Sequence, residues 1–197
     1  GMMRVGQLVY TMIVSSLGTV SYAAHQVALN AESLSFMPGA GFATASTTLV
    51  GQNLGAKRPD DAEDAGRITR NLGILVMSIM GLVFILIPQP IVSIFSNDPE
   101  VIALAAICLR LVAISQPALA TWMILAGGLR GAGDTRAIMK IVAMGFLAVR
   151  VGLAYLLAIH LGYGLVGAWV AMVTDLFVRG FLIQRRFNQG HWKMIRV

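Results

Sequence analysis

AAHQVALNAESLSFMPGAGFATASTTLVGQNLGAKR, residues 23–58, decides how this chain is read. The stretch is mostly apolar and longer than the roughly 20 residues that a bilayer span needs. Pro38, Gly39 and Gly41 interrupt it near its middle, and Lys57 and Arg58 close it. Glu32 puts an acid where a lipid-facing helix has none. A soluble core helix has no use for that length, and a simple anchor excludes Glu32. The stretch therefore reads as a kinked transmembrane helix that lines a polar cavity and leaves the bilayer on the cytoplasmic side.

Composition agrees with that reading. Of 197 residues, 57% are hydrophobic and 12% charged, and the mean hydropathy is +0.76. This is the make-up of a polytopic membrane protein. The net charge of +6 comes without a basic, apolar-free domain able to hold a duplex, which argues against nucleic acid as a partner. In a membrane protein the Lys and Arg excess sets topology and meets anionic lipid instead. Cys108 is the only cysteine, so no internal disulfide forms and no metal-ligand cluster is suggested. No nucleophile, base and orienter set occurs, so the chain does not read as an enzyme, and no cofactor is expected.

Six apolar stretches follow one another, at about 5–17, 22–54, 71–87, 101–125, 137–161 and 165–183. The first is short, and the third ends at Pro88 and Pro90. Loops holding Arg4, then Lys57, Arg58, Arg67 and Arg70, then Arg130, Arg136 and Lys140, then Arg185, Arg186, Lys193 and Arg196 alternate with loops at 18–21, 96–100 and 162–164 that have no Lys or Arg. The positive-inside rule then predicts an all-α membrane protein of six transmembrane helices with both ends cytoplasmic. It divides into a transmembrane lobe, 1–184, and a basic cytoplasmic tail, 185–197.

Four charges fall at similar depth in these spans. Glu32 lies about eleven residues beyond its outer turn, Arg110 about ten beyond its own, Arg150 about twelve before Gly162 and Asp175 about thirteen after it. Each would cost about 2.5–3.5 kcal/mol alone at the bilayer centre, so pairing is expected. Arg150 with Asp175, on consecutive antiparallel helices, is the first pair, and Glu32 with Arg110 the second. Arg179, four residues past Asp175, competes for that acid. Such pairs either glue helices together or serve the transport path. Gln26, Asn30, Glu32 and Ser33 share roughly one face of the second span, as a solute- or ion-lined cavity requires. Pro38, Gly39 and Gly41 loosen the same helix, as either a packing kink or a moving part. Asp134 reads as the N-cap of the fifth span. GAGDTR, residues 131–136, follows a helix and lacks the Lys-Ser/Thr ending of a nucleotide loop.

The long stretch at 23–59, GGLRGAGDTR at 127–136 and RRFNQGHWK at 185–193 together resemble the multidrug and toxic compound extrusion (MATE) family, in length, spacing and order. The resemblance covers essentially the whole chain. It implies the second of two six-helix lobes around a central cavity, with the first helix of that lobe truncated and the N-terminal lobe missing. It further implies a multi-pass protein of the plasma (inner) membrane that expels organic cations and drugs in exchange for sodium ions or protons. On that likeness the second span lines the drug cavity, while Pro38–Gly41 and the loop at 129–136 are family features. One branch of the family has a coupling acid on the helix corresponding to residues 116–122. This chain has Gln116 there and no acid, which leaves sodium and proton both open. Two other readings fit the same features: a flippase for lipid-linked oligosaccharides in the same superfamily, and a homodimeric scaffold that transports nothing.

Overall fold

The computed structural model describes the backbone of residues 2–195 and the side chains of residues 4–195. Among them there is helix and turn and no strand. In order come α1 (Met2–Ser15), α2 (Thr19–Gly55), α3 (Pro59–Leu86), α4 (Pro88–Val92), α5 (Pro99–Ile114), α6 (Gln116–Gly131), α7 (Thr135–Met144), α8 (Gly152–Ala154) and α9 (Gly164–Asn188). Two π-helical stretches, Gly145–Val151 and Tyr155–His160, join α7 and α8 into one run from Thr135 to His160. A 3-10 turn, His191–Met194, follows α9.

Three of these runs are long and apolar enough to cross a bilayer: α3, Thr135–His160 and α9. The pair α5 and α6, broken at Ser115, makes a fourth if taken as one span. The remaining two of the six expected spans fall short in different ways. Helix α1 has 14 residues, which is too few, and α2 has 37 residues but not the same apolarity. Along α3, Ile68, Leu72, Leu75, Ile79, Leu82 and Leu86 are each more than half exposed. They recur every three or four residues, an apolar stripe suited to lipid.

The helix ends follow from local chemistry. Lys57 takes the left-handed conformation, φ 58°. The Lys57 and Arg58 N–H groups return to the Leu54 and Asn53 carbonyls at 2.9 and 2.8 Å, closing α2. Gly133, φ 81°, closes α6 in the same way, with Asp134 N–H on the Leu129 carbonyl at 2.8 Å. The GAGD sequence is therefore a helix-closing turn. Pro99 opens α5 behind Asp98, whose carboxylate accepts the Glu100 N–H at 2.9 Å. The kink positions expected at Pro38, Gly39 and Gly41 all lie inside α2, which is helical through them. Pro38 removes the N–H that the Leu34 carbonyl would otherwise accept.

The chain forms two compact units. One holds the chain up to Leu34 with Ile79–Ser115 and Ala143–Asp175; the other holds Ser35–Ser78, Gln116–Val142 and the chain from Leu176. In the first unit, Gly167 lets the start of α9 lie against the second π-helical stretch, where an added Cβ would stand 2.8 Å from Leu157 backbone atoms. In the second unit, Val50, Leu125, Leu129, Ile183, Phe187 and Trp192 are among the fully buried residues of one apolar core.

Of the stretch expected as a basic tail, 185–197, the structure describes residues up to 195. Arg185 and Arg186 are the last turn of α9. Trp192 is fully buried, stacked on Phe187 at 4.8 Å with its Nε1–H on the Phe187 carbonyl at 2.8 Å. Burial of that ring offsets part of the entropy lost by ordering the residues around it. Lys193 bonds to Glu63 and, at 3.0 Å, to Asp60, and both raise its pKa. The contribution of those contacts to stability is complete below the ordinary lysine range and is lost only as pH rises through the raised folded value. Arg196 lies outside the described residues.

Candidate functional site

In the first unit, α2 presents two different faces. Gln26, Asn30 and Ser33 are exposed, and Ser33 Oγ donates to the Asn30 carbonyl at 2.6 Å. Glu32 is 3% exposed and does not share their face. The helix geometry explains the split. Six residues turn an α-helix by about 600°, so Glu32 projects about 120° from Gln26, while Asn30 and Ser33 return to within about 40° of it. The exposed face is amide and hydroxyl without charge, and the acid belongs to the interior of the unit.

That interior holds a polar cluster from several elements. Arg150, in the first π-helical stretch, donates Nε–H to Asp175 Oδ2 at 2.8 Å. The Asp175 side chain is wholly buried, and that of Arg150 is 14% exposed. The Arg150 guanidinium lies 4.8 Å from the Phe146 ring centre and 5.9 Å from that of Tyr10. Tyr10 donates its hydroxyl to the Ala168 carbonyl at 3.0 Å. Trp169 donates Nε1–H to His25 Nδ1 at 3.2 Å, and the His25 ring stands edge-on to Trp169 and tilted to Tyr10. His25 is 4% exposed, so it is an interior group.

Arg150 and Asp175 are thus the two residues that spacing along the chain joined. Glu32 and Arg110 are not a pair: Arg110 is exposed and has no ion pair among the described residues. It lies between Ile107 and Ile114, both well exposed, on the outer face of α5. Equal depth did not bring it to the same side as Glu32. Asp134 stands just before α7, as an N-cap does, but its carboxylate accepts Nε–H of Arg186 at 2.7 Å.

The second unit holds what sequence reasoning missed. A cavity of about 440 Å³ lies between α2 and α6, lined by Ala40, Thr44, Thr47, Trp122, Met123 and Arg130 among others. Glycine at 127 and 131 lets the two helices close beneath it: Thr47 Oγ1 bonds to the Ala43 and Gly127 carbonyls at 2.8 and 2.9 Å. Arg179 stacks its guanidinium 5.2 Å from the Trp122 ring centre. Gly39 backs onto Met77 and Met123, while among the described residues nothing beyond its own helix comes within 4 Å of a Cβ added at Gly41, and Pro38 is half-buried. The signal in the sequence was the small-residue spacing at 127, 128 and 131, which marks close helix approach.

Gln116 stands out only in the structure, beyond its place on the helix where one branch has an acid. It is fully buried at the start of α6, and neither Oε1 nor Nε2 has a hydrogen-bond partner among the described residues. An unsatisfied buried amide costs about 1–3 kcal/mol. Gln116→Leu should therefore raise the melting temperature of the purified protein. If transport falls while the protein becomes more stable, the amide serves the transport path and not the fold; a lower melting temperature would show that it is satisfied after all.

A family model described as MatE matches residues 2–156. The probable multidrug resistance protein NorM of Thermotoga maritima is 32% identical over 188 residues, covering 95% of this chain and 40% of its own length. The multidrug resistance protein NorM of Burkholderia vietnamiensis is 35% identical over 182 residues, 90% of this chain and 39% of its own. A MATE crystal structure in the straight conformation matches all of this chain and 44% of that one with a TM-score of 0.87 at 19% identity. A multidrug resistance MATE transporter in the outward-facing conformation matches 92% of this chain and 40% of that one with a TM-score of 0.77 at 21% identity. At those identities the structures speak to the fold alone. The chain spans about two-fifths of the length of the curated relatives it matches.

Proposed function

The chain belongs to the MatE family, whose members are transporters and not enzymes, and on that premise we propose that it works in an ion-coupled antiporter that exports cationic drugs and toxic organic compounds. The multidrug resistance proteins among its relatives support the export of drugs. In this reading the protein sits in the plasma (inner) membrane with both ends of this segment cytoplasmic, and a second lobe of six helices completes the central cavity. The relatives, about two and a half times as long, leave room for that lobe.

The observation that carries the proposal is the exposed, uncharged polar face of α2. Gln26, Asn30 and Ser33 offer amide and hydroxyl oxygens at the surface of a helix that is otherwise apolar at that depth. Such groups replace part of the hydration of an organic cation without trapping it as a fixed carboxylate would. Glu32, buried beside the Arg150 charge, takes the other task, the sodium ion or proton exchanged for the drug. Ion binding that favours one cavity state then drives the exchange, by no more than its differential affinity for the two states.

The test uses the full-length transporter in cells loaded with a fluorescent organic cation. Gln26→Leu with Asn30→Leu should reduce efflux at least about tenfold, the equivalent of one lost polar contact set near 1.4 kcal/mol, at unchanged membrane level. Glu32→Gln should leave dye binding intact and remove the dependence of efflux on the ion gradient. Full efflux in the double variant would end the cavity assignment, and gradient-driven efflux in Glu32→Gln would end that of the acid.

A further inference from the structure

We propose that the second unit carries a binding groove for one anionic phospholipid of the cytoplasmic leaflet, along α9 between Phe177 and Gln189. Two recesses make up the groove. One, of about 300 Å³, lies over Pro117, Ala118 and Thr121 of α6 and Phe177 and Phe181 of α9. The other, of about 350 Å³, is lined by Phe181, Gln184, Arg185, Asn188 and Gln189. Phe181 and Gln184 line both, so the two recesses adjoin along α9. Gly180 brings α9 close to α6 at the floor, where an added Cβ would stand 3.0 Å from the Ala118 carbonyl oxygen.

The two ends differ in chemistry in the way the two ends of a phospholipid do. At one end Phe177 and Phe181 are 45% and 66% exposed over apolar and small residues. At the other end stand Arg185 and three amides. Gln184 Oε1 accepts from Arg70 Nη1 at 2.5 Å, and Gln184 Nε2 donates to Asn188 Oδ1 at 2.9 Å. Among the described residues no acid lines either recess. Neighbouring cations are already neutralised within the protein, Arg186 by Asp134 and Lys193 by Asp60 and Glu63. Arg185 and Arg70 have no carboxylate partner among the described residues, and both are at the amide end.

Length selects a lipid over a free anion. From Phe177 to Arg185 is about 12 Å along the helix axis, close to the thickness of one leaflet of hydrocarbon. A phosphate alone fills the amide end and leaves the aromatic end uncovered. Basic recesses between membrane helices on the cytoplasmic side take anionic head groups in just this setting.

The full-length protein in detergent is exchanged against dioleoyl phosphatidylglycerol, dioleoyl phosphatidylcholine or soluble glycerol 1-phosphate, and retained ligand is counted by native mass spectrometry. One phosphatidylglycerol should be retained in clear preference to phosphatidylcholine, and glycerol phosphate should not displace it. Arg185→Gln should lower that preference about fivefold, as expected for one cation at the membrane surface, while Arg185→Lys keeps most of it. Phe181→Ser should weaken retention of both lipids. Equal retention of the two lipids by the unaltered protein, an unchanged preference in Arg185→Gln, or displacement by glycerol phosphate would each overturn the proposal. The first of those measurements needs no variant to fold.

Discussion

Replacing Arg150 by alanine should cost the folded protein about 3–5 kcal/mol, enough to remove most of it from the membrane. The Asp175 side chain is wholly buried and accepts from Arg150 at 2.8 Å. Removing the guanidinium takes a charged donor from a carboxylate in a low-dielectric interior. The aromatic contacts to Phe146 and Tyr10 disappear as well. The measurement is the melting temperature of the purified full-length protein together with its level in the membrane. Arg150→Met with Asp175→Leu should do less harm than Arg150→Ala alone, because apolar groups of similar volume carry no desolvation penalty. A combined variant less stable than either single change would reject the pair as a structural unit.

Gly131→Ala should be the second severe change, at about 3 kcal/mol or more. A Cβ there would stand 2.2 Å from the Thr47 carbonyl oxygen and 3.0 Å from its carbon. Both are backbone atoms of a facing helix, so no side chain can rotate away, and α2 and α6 must separate along the seam. That puts the cost at the upper end of overpacking penalties. Thr47 also loses its bond to the Gly127 carbonyl, and the floor of the cavity beside Trp122 opens. Gly41→Ala is the matching control. Nothing lies within 4 Å of its added Cβ, so only helix propensity acts, and stability should rise by up to about 1 kcal/mol. Similar melting temperatures for the two variants would show that the seam is not held by glycine.

Those two positions also show what was legible in the chain beforehand. Arg150 and Asp175 could be joined from residue counts because both lie on consecutive helices at one depth and both turn inward. The same count failed for Glu32 and Arg110, since depth is set by rise per residue whereas facing is set by rotation, and only the neighbours decide which rotation is buried. For Glu32 the rotation was available from the numbers alone: six residues from Gln26 is about one-third of a turn short of two whole turns. The two π-helical stretches around Arg150 had no such signal. Their wider turn depends on what packs against them, and Gly167 with its close approach to Leu157 is part of that packing.

The chain by itself determined an all-helical membrane protein of the MatE family, because hydrophobic length, loop charge and the motifs at 23–59 and 127–136 are local properties that need no partner to be read. Tertiary structure alone decided that Glu32 is interior while Gln26, Asn30 and Ser33 are exposed, that Trp192 folds back onto Phe187, and that α2 meets α6 over two glycines. Each of those depends on which face of a helix finds another surface to bury against. A one-dimensional pattern specifies how much apolar surface a helix has, but the contact that removes it from solvent or lipid is made by residues distant in the chain.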